Sequence, residues 1–322
     1  MRTGKLDNET LERLIINKIK FHRDEVKKSA AVGEDCAVID FGDYNCVLSS
    51  DPITGAVNDI GRLAINVSCN DIASNGIEPL GIMLTVLLPP DITEEQMEKI
   101  MSDAADESSK LGIEILGGHT EITPVVNVPV ISATAVGRQP VNMEVDRLIQ
   151  PGDYFVMTKA AGIEGTGIIV SDYGDELTDV LTPEECDFAV KLLQQTSVVR
   201  EGVIAGKLGT GPMHDVTEGG ILGALWELCR ISGVSADIDM ESIPVHDVTE
   251  KVCEFYGLNP YRLISSGCML MAVQPDKLEH LMEQLEAAGI AASCIGKAAE
   301  KGDGMDIAPP SADELFKVIH RK

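Results

Sequence analysis

The chain sets its carboxylates where the backbone is barest. Gly33-Glu34-Asp35, Ser50-Asp51-Pro52, Asn70-Asp71-Ile72 and His214-Asp215-Val216-Thr217-Glu218-Gly219-Gly220 each place an acid among small or glycine-rich neighbours. A fifth segment, Gly117-Gly118-His119-Thr120-Glu121, falls between the third and the fourth. Glycine lets a ligand approach backbone amides with no Cβ in the way, and carboxylate oxygens bind hard cations. Together these features suit a magnesium–polyphosphate complex. A fold that uses them must bring segments from both halves of the chain to one cleft.

With 322 residues, 44% of them hydrophobic, the chain has room for two domains with their own cores. Its net charge of −26, from 26 basic and 52 acidic residues, argues against nonspecific contact with nucleic acid or an anionic membrane. A bound polyphosphate would have to be neutralised locally, by metal, amides and a few placed cations. Lys159 and Arg138 are available for that, although an isolated cation is more often a solvated surface residue. None of the eight cysteines forms a C-x-x-C pair or a zinc spacing, so buried reduced thiols are expected. Met1-Arg2-Thr3-Gly4-Lys5 has no signal-like apolar stretch, and no run reaches the ~18 apolar residues of a membrane span. A cytoplasmic location is the expectation.

Apolar spacing predicts a helix over 11–20 and a hairpin whose strand ends, at 36–39 and 47–50, deliver Asp35 and Asp51. A buried helix is expected over 59–75, carrying Asn70 and Asp71 and stopped by Gly76. Thr93 and Gln96 predict a capping box for a helix that Gly112 ends. Strands are expected over 80–88 and 125–137, with a loop at Gly117-Gly118 between them. Pro151-Gly152-Asp153 marks a fresh start, which divides the chain into domains 1–150 and 151–322. In the second, a loop at 162–167, a long helical stretch over 183–208, helices over 221–232 and 276–288 and strands at 154–157 and 268–273 are expected. Strands and helices alternate, so both domains are mixed α and β.

The motifs carry more than one reading. Asp35 and Asp51 serve as metal ligands or as turn formers, and Asp71 as a ligand or a helix-surface residue. The segment Gly117-Gly118-His119-Thr120-Glu121 is a natural phosphate-wrapping loop, with His119 either an acid/base or a partner of a backbone carbonyl. Thr217 is a plausible N-cap for the helix after Gly219-Gly220, whose free amides would face the motif.

Taken in order and at these distances, the motifs resemble the family of aminoimidazole ribonucleotide synthetase, thiamine-phosphate kinase, selenophosphate synthetase and the hydrogenase-maturation protein HypE. Gly33-Glu34-Asp35-Cys36-Ala37-Val38 is similar to the family's Gly-Asp-Asp-Ala-Ala segment. Asp51 is similar to its first metal-binding strand end, Asn70-Asp71-Ile72-Ala73 to its Asn-Asp-Ile/Leu-Ala helix, and Asp215 to Gly220 to its second-domain turn. The resemblance implies a two-domain PurM-like fold: an N-terminal domain whose strands join a β-barrel shared across a homodimer, and a C-terminal α/β domain. It also implies ATP and Mg²⁺ in the cleft, with Asp35, Asp51, Asp71 and Asp215 on the metal and Asn70, Gly117, Gly118, His119, Thr120, Thr217, Gly219 and Gly220 around the nucleotide. Asp71 and His119 are the catalytic candidates.

Within the family, Asp51-Pro52-Ile53-Thr54-Gly55 and Gly117-Gly118-His119-Thr120-Glu121 look most like the HypE-like branch, which implies a maturation-protein partner. HypE carries its reacting group on a cysteine at the end of a C-terminal tail. This sequence closes on Phe316-Lys317-Val318-Ile319-His320-Arg321-Lys322, and its last cysteine is Cys294. The carbamoyl-to-cyano reaction on its own C-terminus is therefore not expected, nor is the cysteine chemistry of selenophosphate synthetase. Phosphoryl transfer from ATP to an amide, carboxylate or hydroxyl oxygen of an unidentified small-molecule or protein-borne acceptor is the primary expectation. A nucleotide-binding regulatory or scaffold protein without turnover and a thiamine-phosphate kinase-like enzyme are the alternatives.

Overall fold

The computed structural model describes residues 6, 8–32, 34–54, 59–143, 147–302, 304–309 and 312–319. Gly33, Gly55, the first five residues and His320-Arg321-Lys322 lie outside the described residues. The first half holds strands β1 (Val26–Lys28), β2 (Ala37–Asp40), β3 (Tyr44–Ile53), β4 (Pro79–Leu88), β5 (Glu114–Ile122) and β6 (Val130–Pro140), in the order β1-β2-β3-β6-β4-β5. Its helices are α1 (Asn8–Leu14), α2 (Ile60–Ser74) and α3 (Glu94–Leu111). Only β4 and β5 pair in parallel, as a crossover through α3 requires. Thr93 and Gln96 form the expected capping box on α3, and Gly112 takes the left-handed conformation that ends it.

The second half holds β7 (Tyr154–Thr158), β8 (Met213–Asp215), β9 (Ser235–Ile238), β10 (Met269–Val273) and β11 (Ala292–Ala299) in an antiparallel sheet ordered β8-β10-β7-β11-β9. Its helices are α4 (Ile163–Tyr173), α5 (Pro183–Leu192), α6 (Val199–Leu208), α7 (Gly220–Ser232), α8 (Asp247–Tyr256), α9 (Leu278–Ala287) and the short α10 (Phe316–Ile319). Among the described residues no helix is long and apolar enough to cross a membrane.

Helix α2 joins the halves. It is buried from Ile60 to Ser74 on every side except at Arg62 and Val67, the pattern of a helix enclosed by protein rather than one lying on a surface. Ile65 and Ile72 share a core with Val47 and Ala133 of the first sheet and with Met269 and Met271 of the second. Its C-terminal end meets α6 at glycine contacts: a Cβ on Gly202 would lie 2.2 Å from the Ala73 carbonyl oxygen, and one on Gly206 2.1 Å from that of Gly76. Gly202→Val is accordingly expected to cost about 3 kcal/mol, read as a lower urea midpoint.

Three expectations fail for packing reasons. The Gly117-Gly118 segment is strand, not loop, because Gly118 passes so close to β4 that a Cβ would overlap the Leu84 carbonyl oxygen. The 162–167 segment is the start of α4, its glycines serving as contacts for Leu263 and Leu193. The 183–208 stretch breaks into α5, a 3-10 turn at Leu193–Gln195 and α6, and the break at 196–198 is where α2 docks.

Candidate functional site

Four elements deliver one aspartate each to the wall of a cavity of about 920 Å³ lined from both halves. Asp35 precedes β2, Asp51 lies near the end of β3, Asp71 sits in the last turn of α2, and Asp215 closes β8. Their supports come largely from α2. Ser49, two positions before Asp51 on the same strand face, donates its hydroxyl to the Asp71 carboxylate and lies 3.2 Å from Asp51 Oδ2. The Cys36 thiol donates to the Asp71 carbonyl at 3.3 Å, tying the Asp35 segment to the helix. The Asp215 N–H donates to Ser74 Oγ at 3.2 Å. No basic residue occupies the last turn of α2, so the negative helix end adds to the carboxylates instead of being offset.

The resulting field is unbalanced. Burial, then Asp215, Asp51 and Asp35, hold the Asp71 carboxyl well above the usual carboxylate range. Burial and then Asp35 push Asp215 up to about 7, against the opposing pull of His214. Burial alone would lower the His214 imidazole, but Asp35, the bond to Glu227 and Asp215 carry it up to about 10. Its geometry agrees: Nδ1–H donates to the Asp215 carbonyl at 2.5 Å and Nε2–H to Glu227 at 2.9 Å. Both ring nitrogens of His214 are therefore engaged by oxygen partners, although the ring lies within 4.8 Å of ligand atoms on Asp35 and Asp215.

A divalent cation fits this donor set. Oxygen-only ligands are what Mg²⁺ takes, and Asp215 Oδ2 is buried with no donor to satisfy it. Asp35 and Asp215 bring ligand atoms within 4.8 Å of each other, and Asp51 and Asp71 line the same cavity, so these are the carboxylates from which an ion would draw its oxygens. A pH dependence follows. The carboxyls of Asp71 and Asp215 titrate higher in the fold than in the unfolded chain, so their contribution to stability is full below about pH 4; that of Asp215 is lost as pH rises through about 7, and that of Asp71 is lost as pH rises through its own raised value. His214 acts in the same sense, its contribution being full below about pH 6.5 and lost as pH rises through about 10. With chelator present, melting temperature should therefore fall between about pH 5 and pH 8. Mg²⁺, which binds the ionised carboxylates, should reverse the fall.

The other residues singled out from the sequence divide. Thr217 lines the cavity, but it is not the N-cap of α7; Gly219 is, with no side-chain cap, and the Thr217 carbonyl accepts the Gly220 N–H. Gly219 and Gly220 serve backbone geometry, since both have positive φ and a Cβ on Gly220 would lie 2.6 Å from the Tyr261 carbonyl oxygen. Asn70 is turned away from the cavity: it donates to the Thr196 carbonyl and accepts the Val198 N–H, each at 2.8 Å. Gly117, Gly118, His119 and Thr120 lie on the exposed edge strand β5, outside this cavity, with His119 Nε2 3.4 Å from Glu121. Neither suggested phosphate cation reaches the site. Arg138 stacks over the Tyr44 ring, and Lys159 is consumed by Ser197, Glu201 and Gly267.

Glu164, Ser266 and Asp313 also line the cavity and were not read from the sequence. Glu164 had a signal: it is the single charge in the apolar and glycine run 160–170. Ser266 and Asp313 sit in irregular segments whose approach is purely tertiary.

An open six-stranded sheet and an antiparallel five-stranded sheet, clasping one helix beside an acid-lined cavity, describe a two-domain protein of the AIR synthase class. The chain belongs to the AIR synthase related protein family, whose N-terminal domain matches residues 33–139 and whose C-terminal domain matches residues 150–307. It is 30% identical over 284 residues to a Methanocaldococcus jannaschii protein provisionally named as a hydrogenase expression/formation protein, covering 85% of this chain and 82% of that one. It is 25% identical over 247 residues to the carbamoyl dehydratase HypE of Rhizobium leguminosarum bv. viciae, covering 74% of this chain and 67% of the relative. The solved structure of AaThiL complexed with AMPPCP and TMP superposes with a TM-score of 0.73 at 21% identity, covering 97% of this chain and 98% of the other. At that identity the likeness speaks to the fold.

Proposed function

We propose that the protein is an ATP- and Mg²⁺-dependent enzyme, related to HypE, that transfers a phosphoryl group to an amide, carboxylate or hydroxyl oxygen of an acceptor. The observation that carries this reading is the convergence of Asp35, Asp51, Asp71 and Asp215, with an unsatisfied Asp215 oxygen, on one cavity. Mg²⁺ held there would offset the charge of the triphosphate during transfer. The chain's own part is positional. Ser49 and Ser74 hold Asp71 and Asp215, the His214 ring bonds the Asp215 carbonyl, and Thr217 stands at the cavity wall. Asp71 is the catalytic candidate of this reading.

Residues 1–150 and 151–322 form the two domains of this reading. The first works as a homodimer. Strand β5 has a partner on one side only, and the sheet face opposite α2 leaves Leu80 and Met83 exposed, with Leu116 and Ile122 exposed on β5. An open apolar edge of that kind is a pairing surface. His119, level with Thr85 on this uncovered face, belongs to that surface in the present reading. A maturation protein is the proposed macromolecular partner, by similarity to hydrogenase expression/formation proteins, and the cytoplasm the proposed location.

The test is ADP formation from Mg·ATP with and without a small-molecule extract of cells, in wild type and Asp51→Asn. Extract-stimulated ADP formation that the variant loses supports an enzyme. Bound nucleotide with no stimulated turnover would make this a nucleotide-binding protein without catalysis.

A further inference from the structure

The metal pole accounts for four of the acids around the cavity, and a second acidic group lies beyond it. Glu164, in the first turn of α4, is buried and accepts the Ser266 N–H at 3.1 Å. Ser266 is wholly buried, and its hydroxyl, although close enough to Glu164 to lower that carboxyl's pKa, completes no hydrogen bond. Glu218 and Asp313 face the same carboxyl, and burial, with these two neighbours adding to it, raises Glu164 to about 7. Asp313 is raised to about 6 by burial even though it accepts N–H groups of Gly219, Ile264 and Leu315. No lysine, arginine or histidine is among the described residues that line the cavity.

We infer that this second pole binds a positively charged nitrogen of the acceptor: an ammonium, amidinium or guanidinium group seated against Glu164, Glu218 and the Ser266 hydroxyl, beside the apolar wall of Ile168 and Ile264. An acidic pocket with an unsatisfied acceptor and no cation of its own attracts donors and repels anions. A phosphorylated or carboxylated end would meet like charge and, among the described residues that line the cavity, no lysine, arginine or histidine to offset it, so the acceptor presents its cationic end here and its reacting oxygen toward the metal pole. This assignment rests on the phosphoryl-transfer reading for the word acceptor, but the charge preference stands without it.

The experiment compares butylamine, butylguanidine, butyramide and butyrate as probes at constant ionic strength, by NMR titration of the whole chain with and without Mg·AMPPCP. The two cations should bind at least tenfold more tightly than butyramide, with butyrate weakest. Glu164→Gln, which still accepts the Ser266 N–H, should weaken the cations about tenfold, and Glu218→Gln, at an exposed position, severalfold. Should Glu164→Gln fail to fold, the Glu218 variant decides. Butyrate or butyramide binding as well as butylamine, or cation affinity unmoved in the folded variants, would overturn the assignment. Absence of Mg·AMPPCP binding would instead sink the nucleotide reading, and the nucleotide-free series would still report on the second pole.

Discussion

Asp71→Asn is expected to melt at a higher temperature than wild type without metal and to lose the stabilisation that Mg·ATP confers. Both effects have one origin. Asp71 is buried, faces three other aspartates and is held well above the usual carboxylate range, so at neutral pH its ionisation is resisted by the fold. An asparagine keeps an oxygen to accept the Ser49 hydroxyl and removes the charge. Because an uncompensated buried charge costs several kcal/mol, the metal-free variant should gain about 2 kcal/mol. Wild type should gain about 2.7 kcal/mol from Mg·ATP at ~100 times Kd, and the variant almost none. A scan of both proteins with and without ligand reads this directly. A variant less stable without metal would mean that Asp71 is structural.

Lys159→Met should have the opposite profile. Lys159, held at a φ of 56°, donates to the Ser197 and Gly267 carbonyls at 2.8 and 2.7 Å and to Glu201 at 2.5 Å. Glu201 is only 3% exposed, so removing its partner strands a buried carboxylate. The expected cost is about 3–5 kcal/mol, measured by urea unfolding. Mg·ATP affinity of the folded protein should stay within about twofold, a change worth less than ~0.5 kcal/mol. A stable variant that no longer binds nucleotide would restore Lys159 as a phosphate cation.

What could be read in advance followed the range of the forces involved. Asp35, Asp51, Asp71 and Asp215 were legible because a carboxylate at an element end among small residues is a local pattern, and the structure brings all four to one cavity. The buried character of α2 was legible from its composition, and the capping box from Thr93 and Gln96. Glycine was the weak point. Gly117-Gly118 and the glycines of 162–167 read as loops, but their missing Cβ atoms make room for β4, Leu193 and Leu263, contacts that only the tertiary fold defines. Asn70 carried the same ambiguity. Beside Asp71 it reads as a ligand, yet the ~100° step between adjacent helix residues directs its amide to 196–198. The second acidic pole was hidden because Glu164, Ser266 and Asp313 are far apart in sequence and share no spacing.

Calorimetric titration of AMPPCP into wild type, with Mg²⁺ and with chelator, decides whether the aspartate-lined cavity is a metal–nucleotide site. Saturable binding is expected with Mg²⁺ and at least tenfold weaker binding with chelator, since no lysine, arginine or histidine is among the described residues that line the cavity. Equal affinity in both conditions, or no binding in either, would contradict a metal–nucleotide site built on the four aspartates.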